Sequence, residues 1–348
     1  MDILALLTRL DEGETLDDKS MKKLEQLKYL NLSHNCLTKL PESFIELQQL
    51  KELDLSHNSL TKLPDSILKL KQLERLTINN NSLTELPESI SELSKLEYLT
   101  LGNNSVNKLP ESIGELKQLE FLICFNNSLT ELPESIGNLC KLKSLHVTDN
   151  NLTVLPESVG NLHKLKRLTL GRNNLTEISE SIGDLCKLEW LDLFNNSLTK
   201  LPESIGDLCK LEWLGLSNNS LNKLPEFIGN LNELEVLYLD KNPLTELPKS
   251  IGDLFKLKRL NCSYCSLVAI PDSIGYLFQL KKLSIRDNFL TTIPESIGNL
   301  FGLDYLNLIN NNLTELPASI DQLTKLTELY LERNHLQISE LYELSEHI

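Results

Sequence analysis

The chain has 348 residues, long enough for two ordinary domains or one elongated one. Its 49 acidic against 34 basic residues leave a net charge of −15, which excludes a general binder of nucleic acid or membrane surfaces, since these carry a basic excess. Hydrophobic residues make up 41% of the chain, which excludes global disorder, and no apolar run approaches the roughly 20 residues of a membrane span.

At the N-terminus, Met1 to Leu10 shows no basic stretch ahead of its apolar residues and no cleavage site, so no signal peptide is expected. Ile3, Leu4, Leu6, Leu7 and Leu10 predict a short amphipathic helix, part of a helical cap over residues 1–26. Residues 18–26 match the outer half of the repeat that follows, with Met21 and Leu24 in its Ile and Leu columns. From Leu27 a leucine recurs every 23 residues through Leu50 and Leu73 to Leu326, without a slip, and each opens the same phrase. Residues 27–338 form this array of about fourteen copies, and residues 339–348 a closing helix or tail, with Ile338, Leu341, Tyr342 and Leu344 as its apolar side.

Residues 188–210 show the unit: Leu188, Leu191, Leu193, Asn196, Leu198, Leu201, Pro202, Ile205, Gly206, Leu208. Leu191 and Leu193 alternate with polar or aromatic positions, the period of a short strand. Asn196 stands where the chain turns away, and stacked copies predict an asparagine ladder bonding open backbone groups. Pro202 suits the first position of a short helical turn, and Gly206 either relieves crowding or supplies a special backbone angle. One copy cannot bury its own leucines, so neighbours must stack.

This phrase resembles leucine-rich repeats over about residues 18 to 338. The resemblance implies an α/β repeat fold, a leucine-rich repeat solenoid with a curved parallel sheet on the concave face and short helical turns on the convex face. The L-P-x-S-I-G form resembles cytosolic Ras-group proteins and bacterial effectors, which act as binding modules. Effector ligases of that kind carry a catalytic cysteine domain after the repeats, and the chain is expected to end before one. Its Glu340, Glu343 and Glu346 look like the C-terminal signals of effectors secreted by a type IV system, although a capping helix explains them as well.

Departures from the repeat carry the remaining information. Ser179 replaces the proline of one copy, where a local kink is expected. Seven cysteines scattered along the chain are no disulfide framework and indicate a reducing compartment. Asn-x-Ser/Thr triplets such as those at Asn103 and Asn195 are by-products of the repeat. Cys124 and Cys262 stand in a core column and Cys265 in the ladder, so the C-x-x-C is explained without metal or redox chemistry. Cys140, Cys186 and Cys209 share an outer column as free thiols, a Cys186–Cys209 bond being the alternative. The residue after the proline is acidic in eleven of thirteen copies, Lys249 and Ala318 excepted, which suits the N-terminus of a helical turn. Phe255, Phe278 and Phe301 share an outer column and are expected to pack over the turns, or else to form a patch for self-association.

The variable columns between the strand leucines hold eight acidic and eight basic residues, a neutral face on an acidic chain. Aromatic and basic residues gather there: Tyr98, Phe121, Phe125, Arg167, Arg172, Trp190, Phe194, Trp213, Tyr238, Lys241, Arg259, Tyr264, Lys282 and Arg286. These types dominate interface hot spots, so the fourteen are the candidate partner-binding residues. Cross-strand stacking that merely stabilises a sheet is the other reading. His34 and His57 stack in one column without a nucleophile beside them, and no P-loop, G-x-S-x-G or H-E-x-x-H motif occurs. The expectation is therefore a monomeric, non-enzymatic module without metal or cofactor that binds a protein partner and neither nucleic acid nor membrane. It is expected in a cytoplasm, as a virulence effector translocated from a bacterium into the host cytosol. The alternatives are a self-associating structural protein and a regulator of a small GTPase or phosphatase.

Overall fold

A computed structural model describes residues 3–337; the closing segment expected from Ile338, Leu341, Tyr342 and Leu344 lies outside the described residues. The chain divides into two compact units, Met1–Arg167 and Leu168–Ile348.

The first unit opens with helices α1 (Ile3–Asp11) and α2 (Asp18–Glu25). Residues 18–25 are thus a true α-helix, capped by the Asp17 carboxylate accepting from the Ser20 N–H at 2.7 Å, rather than the outer half of another copy. Then come β1 (Tyr29–Asn31), β2 (Glu52–Asp54), β3 (Arg75–Thr77), β4 (Tyr98–Thr100), β5 (Phe121–Ile123) and β6 (Ser144–His146), each parallel to the next. Strand β7 (Arg167–Thr169) spans the division. The second unit holds β8 (Trp190–Asp192), β9 (Trp213–Gly215), β10 (Val236–Tyr238), β11 (Arg259–Asn261), β12 (Lys282–Ser284), β13 (Tyr305–Asn307) and β14 (Glu328–Tyr330), again paired in parallel and in sequence order. Partners are 23 residues apart, so Trp190 lies opposite Trp213 and Leu191 opposite Leu214.

Each strand from β1 to β13 returns through a short turn, 3₁₀ in all of these copies but one, where Asp65–Leu68 makes a single α-turn, α3. Between strand and turn lies the core. Leu188, Leu191, Leu193, Leu198, Ile205 and Leu208 of one copy are all fully buried; each such side chain contributes about 1.5–3 kcal/mol, which only a stacked neighbour makes available. This is the α/β repeat expected from the sequence, with parallel strands on one side of each unit and helical turns on the other.

The ladder asparagine ties copies together in three places. Asn219 Nδ2 donates to Leu193 O of the preceding copy at 2.9 Å and to Leu216 O of its own at 3.0 Å, while its Oδ1 accepts the Leu198 N–H at 3.0 Å. Cys265 keeps part of this role, its thiol donating to Leu239 O at 3.5 Å. The proline occupies the cap just before the turn rather than its first position: Pro202 is extended at φ −68°, and the turn begins at Glu203. Ser179 holds the same conformation at φ −65° and its hydroxyl accepts the Ser181 N–H, so the expected kink is absent. Gly206 serves close approach rather than a special angle, for a Cβ there would stand 2.6 Å from Phe227 O of the next copy.

The acidic column also acts between copies. Glu88, Glu180, Glu226 and Glu295 each accept the N–H of a serine in the following turn, for example Glu180 from Ser204 at 3.0 Å. Asp11 of α1 does the same for the first turn, accepting from Glu42 N and Ser43 N at 2.8 Å. The outer column of Phe255, Phe278 and Phe301 does not pack over the turns: each ring is more than half exposed.

Replacing Asn219 by leucine orphans the Leu198 N–H inside the stack and takes one of two amide donors from each of Leu193 O and Leu216 O, which keep those of Asn196 and Asn242; it should lower stability by about 1–3 kcal/mol in urea unfolding. Thiol titration should divide the cysteines. Cys36, Cys140, Cys186 and Cys209 are exposed and should react in the native protein. Cys124, Cys262 and Cys265 should react only after unfolding, because burial raises all three thiols, that of Cys265 to about 11.

Candidate functional site

One residue per copy, just before the ladder position, must turn left-handed. From His34 to Arg333 these fourteen residues lie at φ between 49° and 59°. An L-residue there is strained, and Asn, Asp and His tolerate it best. All six such positions in the first unit are His, Asn or Asp: His34, His57, Asn80, Asn103, Asn126 and Asp149. In the second unit four of the eight are Arg172, Lys241, Tyr264 and Arg333, the others being Asn or Asp. Backbone strain kept for the sake of long cationic and aromatic side chains points to a use outside folding.

The first unit carries a small aromatic group on its strand side. Tyr98 stacks on Phe121 with centroids 4.4 Å apart, and the Arg75 guanidinium lies 4.2 Å over Tyr98. Phe125 stacks on His146 at 5.4 Å, and burial holds that imidazole below its ordinary range. Arg167, the last residue of this unit, is exposed.

The second unit carries two larger groups. Trp190 and Trp213 lie face to face, centroids 4.0 Å apart and planes within 3°, and Tyr238 meets Trp213 edge-on at 5.9 Å. Arg172 sits 5.5 Å over Phe194 on the same side. Both tryptophans remain half-buried, neither in the core nor beneath a cap. Beneath them lies Asp192, which accepts the Phe194 N–H at 3.2 Å; burial pushes its carboxyl up to about 6.

The second group surrounds a recess of about 640 Å³ lined by Asp240, Lys241, Asn261, Ser263, Tyr264, Ser284, Arg286, Tyr305 and Asn307. Arg286 lies 4.7 Å over the Tyr264 ring, donates to its hydroxyl and pairs with Asp287 at 3.1 Å. Lys241 approaches the same ring at 6.0 Å, and Lys282 lies 5.4 Å from the Tyr305 ring. The floor is polar: Asp240 accepts from Ser217 Oγ at 2.5 Å and Asn261 Nδ2 at 3.1 Å, and the Ser263 and Ser284 hydroxyls are 2.8 Å apart. Arg259 is exposed beside Lys282, its register partner.

Of the candidate residues, Trp190, Phe194, Trp213, Tyr238 and Arg172 thus share one region, and Lys241, Arg259, Tyr264, Lys282 and Arg286 another. Tyr98, Phe121, Phe125 and Arg167 belong to the first unit. Sequence reasoning placed Asp192, Asp240 and Tyr305 in the variable columns without choosing them as candidates, and passed over the Asn/Ser floor. Their signal was available in the column positions, but polar residues between strand leucines look like ordinary solvated positions until their neighbours are known. No group of His, Cys, Asp or Glu among the described residues is arranged to hold a metal, and no described helix is long and apolar enough to cross a membrane.

Comparisons place this geometry among known proteins. The family described as leucine-rich repeat region matches residues 2–97, 88–170, 203–285 and 270–346. No curated protein sequence matches the chain. A leucine-rich repeat protein of Leptospira interrogans is similar in structure with a TM-score of 0.79 at 32% identity, covering 96% of this chain and 97% of that one. The Arabidopsis receptor kinase HAESA, solved with the peptide hormone IDA and the co-receptor SERK1, has a TM-score of 0.74 at 27% identity, covering 97% of this chain and 66% of that one. An internalin of Listeria monocytogenes shares the fold at 22% identity and a TM-score of 0.78, covering 94% and 92%.

Asp192 supplies a test of strain at this face. Its folded-state value of about 6 lies above the ordinary 3.8, so native stability falls as pH rises between these values and the ionised form is disfavoured above them. Asp192→Asn should therefore melt at a higher temperature than the wild type at neutral pH, with the difference vanishing below the ordinary value of 3.8.

Proposed function

This chain belongs to the leucine-rich repeat family, and we propose that it is a protein-interaction module that captures a folded partner on the strand side of its second unit. One observation carries the reading: the Trp190–Trp213 stack, extended edge-on by Tyr238, is left half-open to solvent on a face where the fold requires no large side chain. Stacked aromatics beside arginine are the composition of interface hot spots. Leucine-rich repeat proteins serve as protein-interaction modules, and HAESA, whose structure holds a peptide hormone and a co-receptor, is similar over nearly the whole of this chain. The role is binding rather than catalysis.

The finer reading is a bacterial effector acting in a host cytosol. Similarity to the Leptospira protein over almost the full length of both chains supports a bacterial setting, and free rather than bridged cysteines support a reducing one. Regulation of a host GTPase or phosphatase is one form such capture takes. Self-association is a second reading, favoured by the exposure of Phe255, Phe278 and Phe301. Light scattering on wild type and Phe278→Glu separates it: a monomeric wild type removes it.

Both tryptophans of the chain lie on the proposed surface, so partner binding should shift the intrinsic tryptophan emission. In affinity capture from host lysate, Trp190→Ala/Trp213→Ala should lose the proteins that wild type enriches while retaining its melting temperature. Undiminished capture defeats the proposal.

A further inference from the structure

Some lysines of this chain are held by glutamates of neighbouring copies. Lys51, Lys143, Lys256 and Lys258 each hold a glutamate at 2.6 Å. Lys241, Arg259, Lys281 and Lys282 form no salt bridge among the described residues, although the chain carries fifteen more negative charges than positive ones. Two of these cations are neighbours. Arg259 and Lys282 are register partners on adjacent parallel strands, an arrangement in which like charges repel. Lys241 holds a left-handed backbone that ordinarily favours Asn, as does Tyr264, the ring on which Lys241 and Arg286 converge. Folding opposes both arrangements. A ligand bearing negative charge would relieve the first and use the second.

We propose that the recess beside Lys241, Tyr264 and Arg286, with Arg259 and Lys282 at its rim, receives an acidic segment of the partner protein, its carboxylates meeting these cations. The inference rests on the proposed protein-binding function and names the chemistry of the partner. Of the carboxylates already present, Asp240 in the floor accepts from Ser217 and Asn261, and Asp287 accepts from Asn310 and takes one edge of the Arg286 guanidinium, so neither neutralises Lys241, Arg259 or Lys282. Hydroxyl and amide groups from Ser263, Ser284 and Asn307 complete the lining and suit a peptide backbone. A nucleic acid fits less well, because it needs a row of phosphate contacts and the cations around the recess centre on two adjacent strands of an acidic molecule.

The test uses the full chain and a fluorescent oligoglutamate peptide, and so is independent of whether the natural partner is known. The wild type should bind the peptide despite its own net negative charge, more weakly as ionic strength rises. Lys282→Glu/Arg286→Glu should weaken binding by about tenfold or more. Lys200→Glu/Lys223→Glu, which makes the same change in net charge at exposed positions outside the recess, should bind as wild type does. Arg259→Gln/Lys282→Gln removes the repelling pair and should melt at a higher temperature while binding the peptide more weakly, a combination that a structural role does not produce. Absence of wild-type binding, equal losses in the two charge-reversal variants, unchanged binding in the glutamine variant, or a preference for single-stranded DNA or inorganic phosphate over the peptide would each overturn the assignment. Loss of partner capture in the tryptophan variant with peptide binding retained leaves this inference standing; peptide failure with capture retained removes it alone.

Discussion

A left-handed residue before each ladder position is the constraint on which the rest of this structure depends. The strand must end and turn so that the asparagine reaches two carbonyls and one N–H spread over adjacent copies, and that geometry fixes φ between 49° and 59° at fourteen places. A change in one copy would misplace the carbonyl that the next asparagine needs, so the whole array repeats one backbone. Strain of about 1–2 kcal/mol per L-residue is absorbed by Asn, Asp or His in ten copies. The four that keep Arg172, Lys241, Tyr264 and Arg333 all belong to the second unit, which is why that unit, and not the first, is assigned the stronger binding role.

Electrostatics follow the same division of labour between framework and surface. Much of the net negative charge is framework: glutamates after the capping residue accept N–H groups from the following turn, and the hydrogen bond from Ser204 holds the Glu180 carboxyl below the usual range. This links copies on the turn side much as the asparagines do near the strands. The strand side has no comparable duty for charge, so its ionic residues are free to vary. What distinguishes the cations there is their gathering around one recess, with Arg259 and Lys282 side by side on adjacent strands.

The fold was legible because its information is redundant. A 23-residue period repeated through Leu326 leaves little room for another reading, and the alternation around Leu191 and Leu193 places the strands directly. What escaped were features set by neighbours rather than by spacing. Pro202 as cap and Pro202 as first turn residue give the same sequence pattern. Ser179 keeps the proline geometry because its hydroxyl accepts an N–H, an interaction that substitution alone does not announce. Residues 18–25 copy the apolar columns of a repeat but form an α-helix, since Asp17 caps them and no preceding copy constrains their pitch. Phe255, Phe278 and Phe301 suggest packing by their size, yet their column lies outside the stacked core. The candidate residues were legible as a composition; that they fall into a tryptophan group and a cationic recess depends on side-chain direction.

Glycine shows how the strand side is prepared for contact. Phe194 lies against Gly171 of the preceding copy, and Phe125 against Gly102, in each case where a Cβ would collide with the ring. Trp213 lies over Gly215 of its own strand, where an added Cβ would stand 2.6 Å from Cζ3. The rings therefore lean along the sheet instead of standing free, and neighbours fix them before any partner arrives. A partner meeting such rings loses less free energy to side-chain ordering than one meeting mobile groups. Aromatic side chains with only two rotatable bonds make that saving small per residue but cumulative over a stack. Small residues opposite large ones are thus part of the binding surface: alanine at Gly171 or Gly215 would disturb the face without removing a single contact residue from it.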